Sequence, residues 1–161
     1  MGSATLLRGC SILVVEDEPL IVLELTDLFA SAGARVIAAS TCDQGRTALG
    51  RHRISAALLD YVLRGANVAP LCQHLAACQV PYMFYTGYLD LEQSYPHAII
   101  VPKPAGSEVL LTAMANLLDA TGSQTSAQAP SSVGGHLGGR DPFPHLLKFG
   151  QRQQVAQRSP R

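Results

Sequence analysis

The chain has no run of about eighteen apolar residues, the length that a membrane-spanning helix needs. Its N-terminus lacks the long apolar core of a signal peptide, so no membrane association is expected and the cytoplasm is the expected compartment. The four cysteines, at positions 10, 42, 72 and 78, form no Cys-x-x-Cys, and the five scattered histidines show no zinc spacing. Free thiols follow as the expectation. Basic residues do not gather on the part that can fold. Residues 1–120 hold seven Lys and Arg against eleven Asp and Glu, a net of −4, whereas 121–161 hold five against one, a net of +4. An acidic domain with a basic tail is the reverse of a duplex-binding face, and no direct nucleic-acid binding is expected.

What the chain does have is Ile12-Leu13-Val14-Val15 followed at once by Glu16-Asp17-Glu18-Pro19. Four consecutive apolar residues suit a strand buried on both faces of a parallel sheet. Pro19 suits the first turn of a following helix. Carboxylates crowded at the end of a buried strand repel one another, and a hard cation such as Mg²⁺ or a similar ion would relieve them. A solvated acidic turn without a ligand is the plainer alternative.

The pattern repeats along the chain. Apolar spacing at Ile21, Leu25, Leu28 and Ala32, widened by Leu20 and Phe29, predicts a helix from Pro19 to Ala32 with Gly33 as its left-handed cap. Residues 35–39 read as a second strand. Ser40 or Thr41 can cap a helix that runs to about His52, in which Gly45 lowers the intrinsic propensity. Ile54 to Leu59 is a third apolar strand, and it too ends on a carboxylate, Asp60. After an Arg64-Gly65 turn, a helix from Val68 or Pro70 to Ala77 places Leu71, Leu75 and Cys78 on one side. Val80 to Tyr85 is a fourth strand closed by Thr86-Gly87. Residues 88–97 carry little helical signal. Ala98 to Val101 is a fifth strand before Pro102-Lys103-Pro104, and Ser107 caps a last helix to about Ala120 with a stripe of Val109, Leu110, Met114, Leu117 and Leu118.

Five buried strands separated by helices define a doubly wound α/β domain with a five-stranded parallel sheet and right-handed connections. The expected organisation is a leader over 1–10, the α/β domain over 11–120, and a low-complexity, disordered basic tail over 121–161 whose sticky island is Phe143 to Phe149. Ligands of such folds bind beyond the carboxyl ends of the strands. That rule gathers Glu16, Asp17, Asp60, Thr86 and Lys103. Asp17 and Asp60 can share one cation, with Glu16 reaching it through water. Asp60 is then placed as the nucleophile of aspartyl-phosphate chemistry. Lys103 offers a point charge for phosphoryl oxygens, Thr86 a hydroxyl, and Gly87 room beside it.

With these residues the chain resembles the receiver domains of bacterial two-component response regulators over about residues 10–120. Val14-Val15-Glu16-Asp17-Glu18-Pro19 resembles the family's acidic pair, and Leu58-Leu59-Asp60-Tyr61-Val62-Leu63-Arg64-Gly65 its phosphoacceptor motif. Thr86-Gly87 is similar to its switch threonine and small neighbour, and Val101-Pro102-Lys103-Pro104 to its lysine motif. The resemblance implies a flavodoxin-like sheet, phosphorylation on Asp60, a cis Lys103–Pro104 peptide, and Mg²⁺ held by Asp17, Asp60 and the Val62 carbonyl. Pro81-Tyr82-Met83-Phe84-Tyr85-Thr86-Gly87-Tyr88 further resembles the Pro-Phe-x-Phe-x-Thr-Gly-Tyr signature of single-domain receivers from alphaproteobacteria, which tend to have a short or irregular fourth helix. Three departures stand out: Ile100 at the usual switch-aromatic position, Arg64 for the usual proline, and Glu16 for the commoner aspartate.

The expected function is a stand-alone response regulator. A histidine kinase or histidine phosphotransfer protein would donate the phosphoryl group, and the output would run through a protein partner; a second copy of the chain is a further candidate partner. The alternative is a phosphate-independent binding module that uses the aromatics of the fourth strand or the Phe143–Phe149 island. A free-standing phosphatase is disfavoured, because Asp60-Tyr61-Val62 is not the Asp-x-Asp of that chemistry. Any catalysis would be confined to the chain's own phosphorylation and dephosphorylation.

Overall fold

The computed structural model describes residues 6–88, 90, 91 and 93–122; most of the expected tail, with its Phe143–Phe149 island, lies outside the described residues. The elements run β1 (Ser11–Val15), α1 (Pro19–Ser31), β2 (Arg35–Ala39), α2 (Cys42–Arg51), β3 (Ala56–Leu59), α3 (Ala69–Ala77), β4 (Tyr82–Thr86), β5 (Ile99–Pro102) and α4 (Ser107–Gly122). All pairings are parallel, and the strand order is β2-β1-β3-β4-β5. This is the doubly wound, receiver-type sheet that the alternation of apolar runs and helical stripes implies. Among the described residues no helix is long and apolar enough to cross a membrane.

Alternate residues of the strands feed two cores. Ile12, Val14, Leu58, Met83 and Val101 pack with Leu25 and Phe29 of α1 and Leu110, Leu111 and Met114 of α4. On the other side α2 and α3 pack together, and a Cβ on Gly45 would lie 3.2 Å from Leu71 and 3.3 Å from Val15. The glycine that weakens α2 as an isolated helix therefore lets it approach β1 and α3. Gly33 takes a φ of 92°, and its N–H caps Ala30, as expected of a left-handed helix end. Thr41 is the α2 cap, accepting from the Gln44 N–H, while the Gln44 side chain accepts from the Ser40 N–H.

The apolar stripes are displaced in phase at three places. Leu20 and Val109 are exposed, and Leu111, outside the expected stripe, is buried. Cys72, rather than Cys78, is the buried cysteine of α3. Leu7, within the expected leader, is fully buried against α1, with its N–H donated to the Ala32 carbonyl. Among the described residues of the link from β4 to β5 there is no helix: Leu91 and Tyr95 are buried, and the N–H groups of Ser94 and Tyr95 both reach the Leu91 carbonyl.

Candidate functional site

Register brings the site together. Val15 pairs with Leu59, so Glu16 and Asp60 leave adjacent strands side by side. Leu59 pairs with Phe84 and Thr86 with Pro102, which brings Thr86 and Lys103 to the same end of the sheet. The order β2-β1-β3 also makes the gap between β1 and β3 the point where the winding reverses, the usual ligand position in such sheets.

One oxygen each from Glu16, Asp17 and Asp60 lies within 4.8 Å of the others. Glu16 is fully buried, and Asp60 is 7% exposed. Carboxylates so placed need compensation. Lys103 supplies it: its Nζ donates to Glu16 Oε2 at 2.6 Å and to Asp60 Oδ2 at 2.9 Å. The remaining oxygens are held by nearby backbone, Glu16 Oε1 accepting from the Glu18 N–H at 3.1 Å and Asp60 Oδ1 from the Val62 N–H at 3.0 Å. The ammonium also lies 5.4 Å from the centre of the Tyr85 ring. Burial pulls the Lys103 pKa down, but the hydrogen bonds it donates to Asp60 and Glu16, with their negative charge, outweigh it and hold the amine above its ordinary value. Lys103 is therefore a fixed positive charge. The Lys103–Pro104 peptide is cis.

Thr86 is fully buried. Its Oγ1 accepts from the Tyr88 N–H at 3.2 Å, and its carbonyl accepts from the Lys103 N–H at 2.9 Å. A Cβ on Gly87 would meet nothing within 4 Å, so the space beside Thr86 is open. Val62 follows Asp60 in the loop that the Asp60 carboxylate pins. The structure thus assembles Glu16, Asp17, Asp60 and Lys103 into one acidic and basic cluster, with Thr86 and Val62 at its margins. The three carboxylates can coordinate a divalent cation. Glu16 and Asp60 each have both oxygens engaged, and Asp17 Oδ2 accepts from Arg64, so a cation there would share these oxygens with the Lys103, Arg64 and backbone donors.

Two further features escaped the sequence reading. Arg64 donates from Nε to Asp17 Oδ2 at 3.0 Å. Tyr61 stacks on Tyr88, with centroids 5.4 Å apart and planes 24° from parallel. Phe84 lies beneath, edge-on to Tyr61, Tyr82 and Tyr95 at 6.0, 5.7 and 4.8 Å. Burial pushes the Cys72 thiol, on the neighbouring α3, up to about 12. Nothing local announces either feature, because Arg64 and Asp17 lie 47 residues apart.

Fold and site together define a receiver-type α/β domain with an acidic and basic cluster at the sheet's carboxyl end. No protein-family model and no curated protein matches the chain. Solved structures do. The chain is similar to the PhyR response-regulator REC domain of Erythrobacter litoralis, with 25% identity, a TM-score of 0.61, and coverage of 78% of this chain and 98% of that one. It is similar to a response regulator receiver protein from Sinorhizobium medicae WSM419 at 24% identity and TM-score 0.63, covering 70% of this chain and 96% of that one. The response regulator PhyR from Brucella abortus aligns at 21% identity and TM-score 0.67 over 76% of this chain, which spans 54% of that protein. These likenesses establish the fold of the CheY-like receivers.

Proposed function

We propose that this chain is a response-regulator receiver, phosphorylated on Asp60 by a histidine kinase or histidine phosphotransfer protein and signalling through a protein partner. The observation that carries the reading is the position of Lys103 Nζ, bonded at once to Glu16 and Asp60. A bare acidic cluster would repel a phosphoryl group; this one has a fixed ammonium against its central carboxylate. The three carboxylates suit Mg²⁺, which Asp17, Asp60 and the Val62 carbonyl would hold, with Glu16 acting through water. When bound, the ion supplies charge that lets two anions approach each other.

The chain's own residues do the rest. An Asp60 oxygen forms the O–P bond as the donor's P–N bond breaks, and the departing imidazole nitrogen keeps that electron pair. Lys103 moves its charge from the carboxylate toward the phosphoryl oxygens. Thr86, whose oxygen already accepts from Tyr88, retains its hydroxyl proton to donate. The aromatic run from Pro81 to Tyr88 and the irregular described residues that follow it support the single-domain subfamily resembled in sequence.

Incubation with acetyl phosphate or phosphoramidate and Mg²⁺ is expected to add one phosphoryl group, about 80 Da, to the wild type and none to Asp60→Asn. An Asp60→Asn protein with undiminished signalling would instead favour the phosphate-independent module. Tyr88, 42% exposed and stacked on the residue after Asp60, is placed to limit water access. Tyr88→Ala is expected to shorten the half-life of the phosphorylated form several-fold. An unchanged half-life would remove that role.

A further inference from the structure

Arg64 sits in a conformation that its own chemistry does not favour. In the Leu63–Ala66 turn, closed by the Ala66 N–H to the Leu63 carbonyl at 2.7 Å, φ is +42° at Arg64 and +76° at Gly65. Positive φ at both central positions suits Asn, Asp or Gly; a long side chain with a Cβ is disfavoured there. The turn itself therefore has no use for arginine. What arginine does there is reach Asp17. Its side chain is 79% exposed, so the pair adds little to folding, whereas the Asp17 side chain it covers is only 14% exposed. The carboxylate it occupies is one that the proposed cation site needs.

We propose that Arg64 sets the affinity of that site: its guanidinium competes with the dication for the Asp17 carboxylate, weakening cation binding most at low ionic strength. The inference rests on the reading of Asp17 and Asp60 as cation ligands. The competition follows from charge. A guanidinium and a dication on one carboxylate repel each other even when they use different oxygens. Salt screens the exposed arginine more than the recessed carboxylates, so added monovalent salt weakens the competitor first. Cation binding in turn frees Arg64, so the 62–67 loop exchanges a tethered positive side chain for a free one whenever the site fills.

Asn is the informative replacement, because it accepts the left-handed turn and removes the charge. Calorimetric titration with Mg²⁺ is expected to show Arg64→Asn binding about three- to fivefold more tightly than wild type, the range set by an exposed ion pair. Asp17→Asn should lose binding. In the unaltered protein, the Arg64 Nε–H resonance is expected to move to the free guanidinium position as Mg²⁺ is added, a readout that needs no variant to fold. Equal or weaker binding by Arg64→Asn with an unmoved Nε–H resonance would overturn the competition and leave the cation site standing. Absence of Mg²⁺ binding in wild type and both variants would overturn both.

Discussion

Lys103→Met is expected to destabilise the domain by about 3 kcal/mol, lowering Tm by roughly 10 °C. The cost comes from what the lysine leaves behind. Glu16 has no exposed surface, and Asp60 has 7%. Without the ammonium, two carboxylates one strand apart face each other with only backbone N–H groups in compensation. Breaking a buried pair from one side costs more than replacing the pair, so the cycle is the real test. Glu16→Gln in the Lys103→Met background is expected to recover a large part of the loss, measured by urea unfolding at constant m. Independent, additive effects would show that Lys103 does not hold Glu16. Alkali should mimic the substitution. Because the folded-state pKa of Lys103 is raised, its contribution is fully present below the unfolded value of about 10.4 and disappears as pH rises through the higher folded value.

Phe84→Ala is expected to cost about 4 kcal/mol, enough to threaten a domain whose total stability is of order 5–15 kcal/mol. The ring is fully buried and meets three tyrosine rings edge-on, so truncation leaves a cavity and removes three oriented contacts together. Its consequence should also be local. The described residues of the link between β4 and β5 are irregular and anchored by the buried Leu91 and Tyr95, and Tyr95 is the closest of the three rings to Phe84. Amide exchange at residues 93–98 is therefore expected to accelerate more than exchange in β1. Phe84→Leu, which retains much of the volume, should cost less than half as much. Uniform acceleration across the sheet would mean that Phe84 supports the whole core and not this link in particular.

The architecture was legible because Ile12 to Val15, Ala56 to Leu59, Tyr82 to Tyr85 and Ile99 to Val101 are unbroken apolar runs that end on a turn or a chemically distinctive residue, whereas β2, in which only Ala39 is buried, shows the pattern only weakly. Parallel strands buried on both faces leave that signature, and it set the strand-end positions of Glu16, Asp17, Asp60, Thr86 and Lys103. Phase was harder. Helical periodicity locates a stripe but not its centre to one residue, so Leu20 and Val109 read as core and prove exposed, while Leu111 takes a buried place. Leu7 belongs to no periodic segment; the Ala32 carbonyl it bonds, just past α1, and the core it enters come together only after the chain folds. Arg64 read as a turn residue because its partner is supplied by a different strand end.

The ring cluster around the site has an optical consequence. The chain has five tyrosines and no tryptophan, and the tyrosines are residues 61, 82, 85, 88 and 95. Three of them surround Phe84, Tyr88 stacks on Tyr61, and Tyr85 carries the Lys103 ammonium near its face. Near-ultraviolet circular dichroism and tyrosine emission therefore sample chiefly the surroundings of β4 and the loops beside it, with Tyr85 alone reaching the core shared with α1 and α4. Addition of a divalent cation that binds the carboxylate cluster is expected to change these signals in unlabelled protein, with the chain serving as its own spectroscopic probe.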